Sequence, residues 1–111
     1  MSLLLQKSSI LSGTVLSISG SKSESNRLLI LKELYPNIDI VNLSSSDDTN
    51  FLIEALNSKS STIDIHHAGT AMRFLTALFA ILKSKNVTLT GSERMQNRPL
   101  EILVDALKSI G

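Results

Sequence analysis

The chain of 111 residues has no cysteine, no tryptophan and a single tyrosine. The lack of cysteine excludes a disulfide framework or a thiolate site, and few aromatic rings are left on which nucleic-acid bases could stack. The apolar start, Leu3 to Leu5, is interrupted at Gln6 and Lys7, and no apolar run reaches the roughly 20 residues that a membrane-spanning helix needs. We therefore expect a cytoplasmic protein that binds neither nucleic acid nor membrane.

Charge of one sign is also lacking, since eleven basic residues face ten acidic ones and the net charge is +1. This balance gives no reason to expect bulk attraction to a polyanion. Hydrophobic residues make up 42% of the chain and charged residues 19%, which is typical of a globular protein with one modest core. Any binding of anions must therefore be local.

Alternating strand and helix patterns indicate an α/β fold. Runs rich in β-branched residues predict strands over 13–18, 38–43, 62–65 and 87–89. Apolar residues at helical spacing predict helices over 24–34, 69–82 and 99–110, and a further helix through 51–56 with N-caps supplied by residues 44–48. The helix over 69–82 is apolar almost all round, which predicts burial on most of its faces and places Arg73 on a largely buried helix.

Three segments, Ser19–Arg27, His67–Arg73 and Thr90–Pro99, each place a cation beside a turn that leads into a helix. Helix N-termini offer free N–H groups and a positive dipole end to anions. The cations in these segments are Lys22, Arg27, Arg73, Arg94 and Arg98. This repetition predicts a site that gathers several phosphates or carboxylates.

Simpler interpretations exist for the first and third segments. Lys22 lacks the flanking glycines of a nucleotide-binding P-loop and could be a solvated lysine next to a surface arginine. Arg94 and Arg98 could pair with Glu93 or Glu101 in a surface loop.

In the second segment, Gly69 could be a turn residue and Thr70 an N-cap, although the small residues there also let backbone approach a ligand closely. Arg73 argues for a ligand, because a buried unpaired charge costs several kcal/mol and needs an anion or a polar cleft.

Two other groups of polar residues suggest no chemistry. His66 and His67 are adjacent, so on a strand they would point to opposite faces, and no cysteine or third ligand lies nearby. We therefore predict no metal site. Asp47 and Asp48 are predicted to cap a helix.

Read together and in order, the segments resemble the 5-enolpyruvylshikimate-3-phosphate synthase family. Gly20–Arg27 matches the family pattern Gly-Ser-Lys-Ser-x-Ser-x-Arg, and His67–Arg73 matches Asn-Ala-Gly-Thr-Ala-Met-Arg except at its first position. Leu89–Pro99 matches Leu-Thr-Gly-x-x-Arg-Met-x-x-Arg-Pro, and Leu103–Leu107 matches the Leu-Val-Asp-Ala-Leu that follows it. Ser46–Thr49 also resembles a turn of the family.

This resemblance implies an inside-out α/β barrel domain built from βαβαββ units, of which residues 1–111 would be an N-terminal fragment. Residues 1–18 would hold a first strand that pairs with a missing second domain. The implied reaction transfers the enolpyruvyl group of phosphoenolpyruvate to the 5-hydroxyl of shikimate 3-phosphate, through a tetrahedral intermediate and with release of phosphate. It implies no metal and no organic cofactor.

The resemblance also assigns roles to single residues. Ser23 and Arg27 would bind shikimate 3-phosphate, while Lys22, the catalytic candidate, would bridge to phosphoenolpyruvate. Gly69 would line the phosphoenolpyruvate pocket, which is also the glyphosate site of the family, and Arg98 would grip the charged end of that substrate. The supporting candidates, which would shape the pocket, are Thr70, Arg73 and Arg94.

Some features depart from the family. Ser19 and Phe74 replace two prolines, and His67 replaces an asparagine. The groups for proton transfer would lie in the missing C-terminal part of the enzyme, so the isolated chain should be inactive. Two alternatives stay open: a stand-alone anion-binding module without chemistry, and the related transferase that acts on a nucleotide sugar, whose motifs fit less well.

Overall fold

A computed structural model describes residues 1–82 and 86–111. Helices and strands are mixed, as the alternating pattern predicts. Their order along the chain is α1 (Lys22–Leu34), α2 (Asp47–Asn57), β1 (Thr62–Asp64), α3 (Gly69–Ile81), β2 (Thr88–Thr90), α4 (Glu93–Gln96) and α5 (Glu101–Ser109). In the described part of the chain, none of these helices is both long and apolar enough to cross a bilayer.

Strands β1 and β2 form a two-stranded parallel sheet, and α3 makes the crossover between them. Ile63 lies opposite Leu89 in the register. One further bond at each end extends the ladder: Ile65 N–H donates to Thr90 O at 3.0 Å, and Thr88 N–H donates to Ser61 O at 2.7 Å. A helix between two parallel strands is the connection that parallel pairing requires. The start of α3 therefore lies just beyond the carboxyl end of β1.

Helix α3 supplies the centre of the core, packed between the sheet and the other helices. The fully buried Leu75 lies on α3, and the fully buried Leu52 and Ile65 come from α2 and from the end of β1. The remaining buried hydrophobic residues are Leu29, Ala55, Ile63, Ala68, Ala71, Met72, Leu78 and Met95. Met95 places the short helix α4 against this core, which fixes the third cationic segment close to α3.

Two predicted strands are absent from the described residues. Residues 38–43 form no strand, and the prediction is wrong because Asn42 has a left-handed φ of 57° that breaks the extended backbone. Residues 13–18 also form no strand; they are exposed and pair with no neighbour in this part of the chain. A strand forms only where a partner completes its ladder, so pairing of this segment with a second domain stays a prediction.

The C-terminal helix packs less deeply than its periodicity suggests. α5 starts at Glu101, two residues after Pro99, and none of its residues is fully buried. Leu103, Val104 and Leu107 are half-buried, whereas Ile110 is 82% exposed. One face of α5 therefore packs on α3, while its last turn remains in solvent.

Candidate anion-binding site

The N-terminus of α3 has no side-chain cap, because the residue at the cap position has no polar side chain. Ala68 occupies the N-cap position, so Thr70 is not the cap, and Gly69 is the first residue of the helix. Among the described residues, no acceptor meets the backbone N–H groups of residues 69–71. The first turn of a helix normally finds such acceptors in a capping side chain, in water or in a ligand. An anion at this position would supply them.

The turn before α3 is fixed by local hydrogen bonds. Ala68 N–H donates to Ile65 O at 3.0 Å, and His66 N–H donates to Asp64 Oδ1 at 2.7 Å. His66 has a left-handed φ of 52°, which is uncommon for a residue other than glycine and is supported here by the Asp64 bond. The direction of α3 is thereby set at the end of β1.

The third cationic segment is held against the same turn. Ser92 N–H donates to His66 O at 2.9 Å, and Gln96 Nε2 donates to Gly91 O at 2.9 Å. A Cβ on Gly91 would lie 2.6 Å from His66 O, so only glycine permits this approach. After α4, Arg98 N–H donates to Met95 O at 3.0 Å and closes the turn that presents the Arg98 side chain.

The guanidinium of Arg98 lies directly over the backbone of Gly69. Its carbon Cζ is 3.3 Å from the position that a Cβ on Gly69 would occupy, and the Met95 methyl is 3.5 Å from the same point. Glycine therefore leaves the room that this cation fills. A cation beside the positive end of a helix dipole is unfavourable unless an anion binds between or beside them.

Arg73 lies outside the core and connects the second cationic segment to the third by hydrogen bonds. It is exposed, so the prediction of a largely buried arginine is wrong: apolar residues cover the other faces of α3, while this face looks outward. Arg73 Nη1 donates to Gly69 O at 3.3 Å, and Nη2 donates to Pro99 O at 3.2 Å. A cavity of about 380 Å³ lies next to Arg73, and its polar lining residues are Arg73, Arg98, Thr88, Thr90 and Gln96.

Carboxylates do not neutralise these arginines. Within residues 1–82 and 86–111, the ion pairs are Lys22 with Asp48 at 3.5 Å and His66 with Asp64 at 3.9 Å. The proposed pairing of Arg94 and Arg98 with Glu93 or Glu101 is therefore wrong in this structure. No guanidinium in the described residues has a carboxylate within 4.0 Å.

The first cationic segment is built differently. Lys22 opens α1, whose N-cap is Ser21. Arg27 Nη1 donates to Ser23 O at 2.8 Å and also to Ser23 Oγ, and its Cζ lies 5.7 Å from the centroid of the Phe74 ring. Both cations of this segment thus already have partners within the chain.

The structure brings the second and third segments together and connects the first to them only loosely. Arg73 and Arg98 both contact Gly69, and the stacking of Arg27 on Phe74 joins the cationic segment of α1 to α3. No hydrogen bond or ion pair among the described residues joins Lys22 to Gly69 or Arg98. Arg94 is exposed, and the side chains nearest to Gly69 are those of Arg98 and Met95.

Sequence reasoning did not find the hydrogen bond between Asn26 and Asp48. Asn26 is fully buried and bonds to Asp48 across a separation of 22 residues. The similarity of Ser46–Thr49 to a family turn was a signal for this region, but helix capping explained it equally well.

The two histidines do not lie on opposite faces. Both rings contact Phe51, His66 at 4.5 Å and tilted by 36°, His67 at 5.4 Å and edge-on. The strand argument fails because the two residues lie in the turn after β1. The described residues contain no group of three histidine, aspartate or glutamate side chains that could hold a metal ion.

Comparison with known proteins decides the family. The sequence model of the family described as EPSP synthase (3-phosphoshikimate 1-carboxyvinyltransferase) matches residues 53–111, more than half of the chain. The chain belongs to the EPSP synthase family. The family predicted from the three segments is thereby confirmed, and Gly69, Arg73 and Arg98 all lie inside the matched range.

Curated relatives extend the similarity to the first segment. A 3-phosphoshikimate 1-carboxyvinyltransferase of Bacteroides fragilis is 50% identical over 95 residues, which cover 85% of this chain and 23% of that protein. The protein of the same name from Hamiltonella defensa is 38% identical over 134 residues, covering 96% of this chain and 31% of the relative. A pentafunctional AROM polypeptide of Saccharomyces cerevisiae is 38% identical over 124 residues, covering 83% of this chain and 8% of the relative. The chain thus spans less than a third of each of these relatives.

Proposed function

We propose that this chain supplies part of the substrate-binding half of an EPSP synthase. The reaction would transfer the enolpyruvyl group of phosphoenolpyruvate to the 5-hydroxyl of shikimate 3-phosphate and release phosphate. Support comes from the family match, from the names of the relatives and from the Arg98 guanidinium, which has no carboxylate within 4.0 Å among the described residues. Both substrates carry a phosphate and a carboxylate, so cations and helix dipoles suit them.

The observation that carries this proposal is the position of Arg98 above Gly69 at the uncapped start of α3. Free backbone N–H groups and a guanidinium converge there, and no carboxylate of the described residues competes for either. An arginine can hold a phosphate or carboxylate with two parallel hydrogen bonds. Arg98 and the first turn of α3 would therefore bind the anionic end of phosphoenolpyruvate.

The first segment would bind the second substrate. Ser23 and Arg27 would hold shikimate 3-phosphate, and Lys22 would reach from this group towards phosphoenolpyruvate. Lys22 is half-exposed, with 48% of its side chain accessible, so its ammonium can meet a ligand without a change of backbone. The pocket-shaping candidates are Thr70, Arg73 and Arg94.

The remaining parts of the site would come from the rest of the enzyme. The parallel unit β1–α3–β2 would be one piece of the βαβαββ units of an inside-out α/β barrel domain. Residues 1–18, which are exposed, would supply a strand to the second domain. The carboxylates and lysine that transfer protons would also lie outside this chain, so its own contribution is to bind and orient the substrates.

A chimeric enzyme tests this proposal. The 95 aligned residues of the Bacteroides fragilis relative would be replaced by those of this chain, and phosphate release would be measured with both substrates. We expect activity that depends on both substrates, and a loss of about 100-fold in kcat/KM on Arg98→Gln, in the range of removing one donor from a developing charge. A chimera with native circular dichroism and cooperative unfolding that releases no phosphate would contradict the proposal.

A further inference from the structure

A buried polar network joins the first turns of α1 and α2. Thr49 Oγ1 donates to Asn26 Oδ1 at 2.8 Å, and Asn26 Nδ2 donates to Asp48 Oδ2 at 3.1 Å. Asn26 and Thr49 are both fully buried. Because the Asn26 amide uses its oxygen towards Thr49 and its nitrogen towards Asp48, the orientation of this amide is fixed from both sides. The carboxylate of Asp48 is therefore held in one place.

The other oxygen of Asp48 faces Lys22. Oδ1 lies 3.5 Å from Lys22 Nζ, and the Asp48 side chain is only 15% exposed, whereas that of Lys22 is 48% exposed. The distance is longer than the 2.7–2.9 Å of a tight charge-assisted hydrogen bond. An ammonium has three donor hydrogens, and this ion pair engages at most one of them. At least two donors of Lys22 stay available to an anion.

Further hydrogen bonds lock the two helix starts together. Ser25 Oγ accepts from Ser44 N–H at 2.9 Å, and Ser46 Oγ lies 3.0 Å from Thr49 Oγ1. In the described residues, every buried side-chain nitrogen and oxygen has a hydrogen-bond partner. A complete polar network of this kind specifies one geometry, since breaking any member leaves a buried group unpaired.

We propose that Asp48, oriented by Asn26, is a positioning residue that fixes the Lys22 ammonium before an anionic ligand arrives. The inference rests on the proposed function in so far as the ligand is phosphoenolpyruvate. Asp48 does not touch the ligand; it acts through Lys22. The network thereby extends the role of the first segment to Asp48, which lies outside that segment.

Through its charge alone, Asp48 would weaken the binding of an anion at Lys22. A carboxylate 3.5 Å from Lys22 repels an incoming anion, so its removal should tighten binding if charge were all that mattered. If positioning dominates, removal frees the flexible Lys22 side chain, and binding weakens because the ligand must then order it. The sign of the change in affinity therefore separates the two effects.

The test uses Asp48→Asn, which keeps the shape of the side chain and removes its charge. The matched control is Asp47→Asn, the neighbouring exposed residue in the same first turn of α2, which removes one negative charge without touching Lys22. Two quantities are measured on the full chain at constant ionic strength: the order of the Lys22 side chain without ligand, from ¹³C and ¹⁵N relaxation at Cε and Nζ, and the Kd for phosphoenolpyruvate.

We expect Asp48→Asn to make Lys22 Nζ as mobile as a free surface lysine and to weaken phosphoenolpyruvate binding about three- to fivefold, the scale of a partly exposed ion pair. Asp47→Asn should leave both quantities within about 1.5-fold, since its exposed charge is screened. Asp48→Glu, which restores the charge, should recover part of the Lys22 order.

An unchanged Lys22 order, or tighter binding in Asp48→Asn, would overturn the inference. If the chimeric enzyme described above does not bind phosphoenolpyruvate, the proposed function of this chain fails, while the Lys22 order still decides whether Asp48 positions it. If Asp48→Asn does not fold, the wild-type chain provides the test: a nuclear Overhauser contact between Lys22 Hε and Asp48 Hβ supports the inference, and its absence overturns it.

Discussion

The two helix starts that carry the cations of this chain differ in how their charges are satisfied. At α1, Lys22 faces Asp48 and Arg27 folds back on Ser23, so each cation has a partner in its own chain. At α3, Arg98 lies over Gly69 beside free N–H groups, and no carboxylate of the described residues approaches it. The cations at α1 have partners before a ligand binds, whereas the positive charge at the start of α3 is balanced only when an anion binds.

This difference has an energetic consequence. A cation at the N-terminal end of a helix is disfavoured by about 0.3–1 kcal/mol in an exposed setting. An anion that binds there removes this repulsion and also satisfies the backbone donors of the first turn. Ligand-dependent stabilisation of the chain should therefore originate mainly at α3, and the following substitutions test that view in order of expected effect.

The largest expected effect is a loss of stability where Gly91 lies against His66, the contact that holds the third cationic segment at the turn before α3. Gly91→Ala would place a Cβ 2.6 Å from His66 O, against backbone that cannot yield cheaply. We expect a loss of about 1–3 kcal/mol in the free energy of unfolding, as for other overpacked sites, measured by urea denaturation. Gly13→Ala is not a matched control, because Gly13 has a positive φ. Ala106→Gly, at an exposed position of α5, serves instead, with an expected loss below about 1 kcal/mol.

Next in size is the loss of the unpartnered guanidinium. Arg98→Gln should weaken phosphoenolpyruvate binding about tenfold or more, because it removes both the charge and the paired donors. The same change should raise the free energy of unfolding by a few tenths of a kcal/mol, since it relieves the repulsion at the start of α3. Lys108→Gln, at an exposed position in the last turn of α5, is the control and should change the Kd less than twofold.

A smaller effect is expected when the room under Arg98 is filled. Gly69→Ala puts a Cβ where the guanidinium now lies, and a flexible side chain can move aside. We predict binding of phosphoenolpyruvate about three- to fivefold weaker with no loss of stability, because alanine is a better helix former than glycine. Calorimetric titration together with thermal unfolding checks both parts; a destabilised variant with unchanged affinity would show that Gly69 serves packing alone.

The smallest predicted effect lies at the link between the two regions. Phe74→Leu removes the ring under Arg27, a cation–π contact worth about 0.5–1 kcal/mol at an exposed site. Affinity for shikimate 3-phosphate should fall about two- to threefold, while that for phosphoenolpyruvate stays the same. Phe74→Tyr keeps the ring and should keep the affinity. Equal losses for both substrates would mean that Phe74 supports α3 rather than Arg27.

The helices could be predicted because their signals are local. Ser46 followed by acidic residues marks the start of α2, and the spacing of apolar residues predicts the extent of α1 and α3. The strand over 38–43 could not be judged in this way, because a strand depends on a partner far along the chain. The apolar composition of α3 likewise did not reveal that the face with Arg73 points outward.

The residues of the site could be predicted, but their arrangement in space could not. The family resemblance placed Gly69 and Arg98 in one pocket, and their direct contact required the turn at His66 that aligns both segments. The link between Asn26 and Asp48 spans 22 residues and has no periodic signal, so only the packing of α1 on α2 reveals it.

The most direct test of the account is a titration of the uniformly ¹⁵N-labelled chain with phosphoenolpyruvate, followed at the amides of residues 69–71 and at Arg98 Nε. We predict saturable shifts at these positions with one common Kd, and their loss in Arg98→Gln. Shifts that leave the start of α3 unaffected, or that persist with the same Kd in Arg98→Gln, would contradict the claim that this region is completed by an anion.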